Sequence, residues 1–158
     1  MSRRILIAVL SAVALGVAPV FGDEDGGADA KPKLKPGEFE WHPERSESGP
    51  VLMVVSRDDQ VVYVYRNAVE IARSTVSTGK KGHTTPTGVF QILQKHKDHY
   101  SSIYKGAAMP YMQRLTWQGI ALHAGNLPGY PASHGCIRLP YEFSKKLYGV
   151  TAMGGRSS

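Results

Sequence analysis

The chain has 158 residues, a formal net charge of +6, 42% apolar residues and 20% charged residues. These proportions exclude a disordered chain and a membrane bundle, and the length leaves room for one domain of about 100–120 residues behind an N-terminal leader. The 17 glycines and 10 prolines favour short strands and turns over long helices. The basic residues form no long block, so the charge suits a cell wall or a membrane surface better than nucleic acid.

An export signal is predicted for residues 1–22. Arg3 and Arg4 supply the positive start of a signal peptide, residues 5–21 are almost entirely apolar, and Gly22 is a small residue at a suitable cleavage point. The apolar run is short for a membrane-spanning helix, which needs about 20 residues, and an uncleaved membrane anchor is the alternative. We therefore expect an exported protein.

Residues 23–49 have the composition of a flexible linker. They are rich in Gly, Pro and Lys, which do not support a packed core. The aromatic residues Phe39 and Trp41 either dock onto the domain or are incidental. A catalytic domain is predicted at 50–153, followed by a frayed tail at 154–158.

The domain is predicted to be mostly β. Short apolar runs bounded by turn residues indicate strands at 51–55, 61–65, 69–75, 89–93, 109–112 and 119–122. The first three form an antiparallel meander. An exposed excursion or lid is expected at 94–108, where His96 and His99 are interpreted as surface histidines. The only helical pattern runs from Tyr141 to Gly149.

The single cysteine, Cys136, stands in the run Ser-His-Gly-Cys-Ile-Arg at residues 133–138. Exported proteins usually pair their cysteines, so a lone one is either buried and inert or kept for chemistry. A nucleophilic thiol needs a base or positive surroundings. His123 lies 13 residues earlier, across a turn-rich loop that can bring it beside the thiol. His134 shares the face of the thiol if this run is a strand.

The neighbours of Cys136 suit an acyl-transfer site. Gly135 permits close approach of a substrate backbone, and the Gly135 and Cys136 amides are expected to face a developing oxyanion, each contributing about 3 kcal/mol. Arg138 can bind a substrate carboxylate with its fork of donors. A zinc site or an inert buried cysteine remain alternatives, and residue types alone favour the nucleophile without deciding.

The segment 120–139, with Ala-Leu-His-Ala-Gly followed by Ser-His-Gly-Cys-Ile-Arg, resembles the active-site signature of the L,D-transpeptidases of the YkuD domain family. Other pieces are similar in the same order. They are the strand at 61–65, Ser-Thr-Gly-Lys at 77–80, Thr-Pro-Thr-Gly-Val-Phe at 85–90 and Met-Pro-Tyr at 109–111. The likeness covers residues 51–150, nearly the whole domain.

This resemblance implies a mostly β (α+β) fold: a YkuD-like β-sandwich or barrel of antiparallel and mixed strands, with a cysteine cleft and one C-terminal helix. It implies that Cys136 attacks the carbonyl of the third residue of a peptidoglycan tetrapeptide stem and expels D-alanine, with His123 as the base. The other site residues that it implies are His134 in catalysis and, for the oxyanion and substrate, Gly135, Ser133, Arg138 and Tyr111.

The resemblance leaves the acyl acceptor open. A neighbouring stem would give a 3→3 cross-link, and a lysine of an outer-membrane lipoprotein or a D-amino acid are the other amines. Water would make the protein an L,D-carboxypeptidase, and a non-catalytic peptidoglycan-binding protein is the remaining alternative. The resemblance also implies no metal or cofactor, inhibition by carbapenems, no nucleic-acid partner, and a place in the periplasm or cell envelope of a Gram-negative-type bacterium.

Three departures from the family pattern accompany the resemblance. The loop from His123 to Ser133 is shorter than in many members, Arg138 stands where many have asparagine, and the chain stops soon after the helix. The short loop is expected to open the cleft or to change the acceptor.

Overall fold

The computed structural model describes residues 31–104, 106–154 and 156–157. The predicted export signal at 1–22 lies outside the described residues. The chain from residue 32 onward forms one compact unit. In the described part of the chain, no helix has the length and hydropathy needed to cross a bilayer.

The described residues form two sheets and a C-terminal helix, which confirms the predicted mostly β fold. The elements are β1 (Phe39–Trp41), a 3-10 helix (Pro43–Arg45), β2 (Val51–Ser56), β3 (Val61–Arg66), β4 (Val69–Thr75), β5 (Phe90–Gln91), β6 (Gln94–His96), β7 (Met112–Arg114), β8 (Ala121–Ala124), β9 (Ile137–Leu139), α1 (Tyr141–Val150) and β10 (Arg156–Ser157). The six-stranded sheet has the order β1-β4-β3-β2-β10-β5, and the four-stranded sheet has the order β6-β7-β8-β9.

The meander β2–β3–β4 is antiparallel, as its sequence pattern predicts. Val62 and Val64 of β3 are fully buried and alternate with less buried residues, because successive side chains of a strand point to opposite faces. Asn67 and Ala68 connect β3 to β4 with positive φ angles of 49° and 64°. That conformation is the type I′ hairpin, whose twist matches the twist of the strands.

The core lies where both sheets meet α1. Phe143 and Leu147 of the helix are fully buried against side chains from each sheet, including Ile71 and Leu122. Spacing of three to four residues puts Phe143 and Leu147 on one face of the helix. The helix therefore covers one face of the four-stranded sheet, and the other face is turned away from the helix.

The structure differs from the predicted flexible linker at 23–49, because residues 39–41 form strand β1 against β4. Phe39 and Trp41 pack on Phe143 of α1, with ring centroids 5.5 Å and 5.6 Å apart. Glu40, between them, accepts two hydrogen bonds of 2.7 Å from Arg73. The Phe-Glu-Trp alternation is a short strand signal that the Lys- and Pro-rich surroundings obscure.

Three other elements differ from their predicted positions. Residues 94–96, predicted to begin an exposed excursion, form strand β6 against β7. The strand expected at 109–112 is β7, Met112–Arg114, because Tyr111 has φ 55° and breaks the extended backbone before Met112. The tail expected to fray at 154–158 contains β10, which pairs with β2 in parallel and with β5 antiparallel. These pairings use main-chain groups, which composition does not reveal.

Candidate active site

The four-stranded sheet sorts its residues into two faces by register. Arg114 pairs with Ala121, and Leu122 pairs with Ile137, which places Ala121 beside Cys136 at the start of β9. The next row on the same face runs His96, Met112, His123 and Arg138. Directly paired residues share a face of a sheet. We call these residues, with Gln94, Arg114, Ala121 and Cys136, the Cys136 face.

The opposite face of this sheet belongs to the core and to α1. Lys95 donates hydrogen bonds to the carbonyls of Tyr148 (2.7 Å) and Thr151 (2.6 Å) at the end of the helix, and Thr151 Oγ1 donates to Gln113 Oε1 at 2.7 Å. Lys95 and Gln113 alternate with the residues of the Cys136 face. Because the helix occupies their side, the thiol and its neighbours face away from α1.

A hydroxyl holds the loop before Cys136 in shape. Ser133 Oγ donates to the carbonyl of Cys136 at 2.5 Å and accepts from the amide of Gly135 at 3.1 Å. Ser133 is 1% exposed, so these two bonds satisfy groups that water does not reach. Ser133 therefore fixes the backbone that carries the thiol.

The segment 77–85 braces the same loop from outside. Ser77 and Arg138 exchange two backbone hydrogen bonds of 3.0 Å, and the amide of Ser133 donates to the carbonyl of Thr78. Thr85 Oγ1 donates to the carbonyl of Gly135 at 2.8 Å. The position of Cys136 thus depends on two loops that the motif spacing alone does not connect.

The backbone of Gly135 is held in the turn before β9, and its predicted oxyanion role stays a prediction. Its φ is +114°, and a Cβ there would lie 2.7 Å from Ile120 Cδ1, so Ile120 occupies the side on which a substrate backbone was expected. Its amide donates to Ser133 and not to a ligand site. The positive φ requires glycine for the turn into β9. Cys136 is left as the candidate oxyanion donor of this pair.

The thiol of Cys136 is half-buried against Met109, Met112 and Ala121. It donates to the carbonyl of Gly119 at 3.4 Å. Burial raises the pKa of Cys136, and the Ala121 amide and two arginine charges oppose that shift. The thiol is therefore protonated at rest and needs a base when it attacks.

His123 has the orientation of such a base. It is 8% exposed, and its Nδ1 donates to the carbonyl of Ala124 at 2.8 Å, because a carbonyl can only accept. That bond leaves Nε2 as the acceptor nitrogen. Burial lowers the pKa of His123, the bond to Ala124 opposes the shift, and the Arg138 charge adds to it. The imidazole is therefore neutral and able to take a proton.

His134 lies elsewhere, contrary to the shared face expected for a strand. Residues 134–136 form a bend, and the imidazole is exposed. It packs against His83 at 4.8 Å and Tyr104 at 4.6 Å between ring centroids. Desolvation and the charge of Lys80 lower the pKa of His134. It lies at the rim of the loop and not beside Nε2 of His123 on the Cys136 face.

Arg138 and Tyr111, the remaining predicted site residues, lie on opposite faces of the sheet. Arg138 pairs with His123, and its aliphatic carbons lie over Gly125, where a Cβ would come within 3.1 Å. Tyr111 is 7% exposed and packs on Tyr141 and Tyr148 of α1, with centroids 5.4 Å and 5.7 Å away. Tyr111 therefore supports the helix, and its role in substrate binding stays a prediction.

A small cleft opens beside the thiol. It is lined by residues of the 97–108 loop and of the Cys136 face: His99, Ser101, Ser102, Ile103, Met109, Met112, Arg114, Gly119 and Ala121. Met109, Met112 and Ala121 also pack on Cys136. Among the described residues, no three His, Cys, Asp or Glu side chains are placed to hold a metal ion.

Sequence reasoning missed Arg114, Thr85 and Tyr104. Arg114 lies two strands from Cys136, and only the β7–β8 register brings it to the same row. Thr85 and Tyr104 approach from loops far away in the sequence. The signal for Arg114 was its alternation with Met112 along β7.

Comparison with known proteins identifies the domain. The family model described as the YkuD, L,D-transpeptidase catalytic domain, matches residues 50–156. No curated protein sequence matches the chain.

Solved structures have the same fold. An L,D-transpeptidase from Stackebrandtia nassauensis is 29% identical with a TM-score of 0.64, covering 72% of this chain and 56% of its own. One from Mycobacterium tuberculosis H37Rv is 24% identical with a TM-score of 0.64, covering 68% of this chain and 56% of its own. L,D-transpeptidase 3 of Mycobacterium tuberculosis, solved with a faropenem-derived adduct, is 23% identical with a TM-score of 0.62, covering 68% and 58%. The chain thus spans little more than half the length of these relatives.

Proposed function

Because the chain belongs to the YkuD family of L,D-transpeptidase catalytic domains, we propose that this enzyme transfers the acyl group of a peptidoglycan tetrapeptide stem through a thioester at Cys136. The observation that supports this most is the Cys136 face. It places a protonated thiol and a neutral imidazole whose Nδ1 is already bonded on the same face of one sheet.

In the first step, Nε2 of His123 takes the thiol proton while sulfur attacks the carbonyl of the third residue. A carbon–sulfur bond forms, and the negative charge passes to the carbonyl oxygen, where the Cys136 amide is the candidate donor. The bond to the terminal D-alanine then breaks, and His123 returns the proton to the leaving amine.

In the second step, an amine attacks the thioester and regenerates the thiol. Its lone pair forms the new amide, and His123 carries the proton from nitrogen to sulfur. A neighbouring stem gives a 3→3 cross-link, and a lipoprotein lysine or a D-amino acid gives the corresponding amide. Each of these amines attacks the same thioester carbonyl, and water in their place gives carboxypeptidase activity.

Mass analysis of muropeptides tests this proposal. We expect the purified domain to release D-alanine from a disaccharide tetrapeptide and, with an added amine, to form a product heavier by the amine. Tripeptide as the sole product would indicate a carboxypeptidase. Binding to peptidoglycan without D-alanine release would indicate a non-catalytic binding protein.

Carbapenems are proposed inhibitors of the same thiol. Two structural relatives carry related compounds: one is an L,D-transpeptidase in complex with imipenem, and the other has a faropenem-derived adduct. We expect meropenem to add one adduct mass to this chain and none to Cys136→Ala.

The cell envelope is the proposed site of action, since residues 1–22 have the pattern of an export signal and the substrate lies outside the cytoplasm. Fractionation of a Gram-negative host that expresses the full chain checks this. Recovery of the chain in the cytoplasm alone would contradict it.

A further inference from the structure

Arg114 is a partly buried cation of the Cys136 face that has no part in the proposed acyl transfer. It stands directly opposite Ala121 in the β7–β8 register, and Ala121 lies beside Cys136. Two strand spacings separate Arg114 from Cys136, about 10 Å between Cα atoms. Arg114 and Ala121 line the same small cleft.

The guanidinium of Arg114 lacks the partners that a partly buried arginine normally has. Its Nε is buried and has no hydrogen-bond partner among the described residues. It forms no ion pair with a described residue, including Asp98, the acidic residue of the loop above the cleft. A buried N–H donor without an acceptor is unfavourable. A ligand anion would supply the missing acceptor.

The cleft and the surrounding charges favour a carboxylate as that anion. Arg114 lines the cleft together with Gly119, whose carbonyl contacts the thiol, and with Ser101 and Ser102. Burial raises the pKa of the Cys136 thiol and lowers the pKa of His99, and the positive charge of Arg114 opposes the first shift and adds to the second. A guanidinium fork matches a carboxylate with two parallel hydrogen bonds.

The position of His123, the proposed base, indicates which part of the donor lies near Arg114. His123 must protonate the leaving amine, so D-alanine departs on its side, where Arg138 also lies. Arg114 lies in the same row of paired residues as Cys136, and His123 lies in the next row on the same face. The part of the donor near Arg114 is therefore the acyl part, which stays on the enzyme.

We infer that Arg114 is a specificity-determining residue that binds a carboxylate on the acyl part of the donor, namely the side-chain carboxylate of the third stem residue. This inference rests on the proposed function for the identity of the donor. The anion site itself rests only on the unpartnered guanidinium, the cleft and the register.

The first experiment compares two tetrapeptide donors, one with a free side-chain carboxylate on the third residue and one with the amide. Wild type should acylate faster with the free acid, and Arg114→Gln should lose roughly 10- to 100-fold of that preference, in line with a hydrogen-bonded charged group. Arg114→Lys should keep part of it. Arg45→Gln, an exposed arginine outside the site, is the matched control. An unchanged preference in Arg114→Gln would overturn the inference.

The second experiment needs no substrate, so it separates this inference from the proposed function. Iodoacetate and iodoacetamide alkylate the thiol and differ in charge, and their rate ratio cancels any change in thiol pKa. We expect the ratio of iodoacetate to iodoacetamide to fall in Arg114→Gln and to stay constant in Arg45→Gln. An unchanged ratio in Arg114→Gln would refute an anion site. Failure of the proposed function would instead leave wild type unacylated by both donors.

Discussion

His123 and His134 both lie close to Cys136 in sequence, but only His123 shares its face of the sheet. We expect His123→Ala to slow acylation by roughly 10²- to 10⁴-fold, the range for a lost general base. His134→Ala should keep a measurable part of the rate, because its ring packs on His83 and Tyr104 at the rim.

Acylation of Cys136 by a tetrapeptide donor, followed by intact mass over time, measures this difference. Iodoacetamide labelling at alkaline pH serves as the control that the thiol remains accessible in each variant. If His134→Ala lost more of the acylation rate than His123→Ala, His134 and not His123 would be the base.

The pH dependence of acylation follows from the burial of His123. A base must be neutral, so activity falls when acid protonates Nε2, and the lowered pKa moves that fall below the ordinary value of 6.5. We expect kcat/KM for the donor to be above half of its maximum at pH 6.5 and to reach half of its maximum at a lower pH. An acid limb centred above pH 6.5 would show that Arg138 and the desolvated pocket do not act on His123 as described.

At the scale of residues, the sequence predicts which residues lie near the Cys136 thiol better than it predicts their orientation. The loop between His123 and Cys136 correctly indicates two adjacent segments, which the parallel β8–β9 pairing confirms. The shared face of His134 was conditional on a strand, and that condition is not met because Gly135 at φ +114° turns the chain; the role of His134 in catalysis stays a prediction. A positive φ at glycine is not visible in a list of residue types.

At the scale of elements, the loop 133–136 carries the site, and Ser133 is its internal brace. Ser133→Ala leaves the Gly135 amide and the Cys136 carbonyl without this hydroxyl, and unpaired buried groups cost about 1–3 kcal/mol each. We expect a lower free energy of unfolding and slower acylation together. Ser133→Thr, which keeps the hydroxyl, should recover more of both than the alanine variant.

Urea denaturation gives the stability, and the acylation rate of Cys136 gives the effect on the site. Wild-type values for both quantities in Ser133→Ala would mean that the backbone bonds to the 77–85 segment suffice to hold the loop.

The strands of the meander were predictable because their apolar runs are long. The start of β7 was not, because Met109 to Tyr111 look like a strand and Tyr111 instead turns and packs under α1.

At the scale of the whole molecule, strand β1 links the segment before the domain to its core. Trp41 packs edge-on against Phe143 at 5.6 Å, so Trp41→Ala removes apolar burial and an aromatic contact. We expect the free energy of unfolding to fall by about 1–3 kcal/mol. The acylation rate should stay within twofold of wild type, since Phe143 and Trp41 lie on the helix side of the sheet.

Chemical denaturation of Trp41→Ala checks this prediction, with Trp117→Ala as the control because Trp117 is 65% exposed. If Trp41→Ala and Trp117→Ala had equal free energies of unfolding, residues 39–41 would not stabilise the domain, as expected for a linker.

The two sheets and the helix were predictable from apolar runs and from the family resemblance. Strands β1 and β10 were not, since their partners β4 and β2 are distant in sequence.

The identity of the acyl-enzyme tests the central claim most directly. After rapid mixing with a disaccharide tetrapeptide and acid quenching, intact mass spectrometry should show the chain heavier by the donor minus D-alanine. Peptide mapping should place the added mass on Cys136, and Cys136→Ala should show neither adduct nor released D-alanine. D-alanine release by Cys136→Ala, or an adduct on another residue, would contradict a cysteine acyl-transfer enzyme.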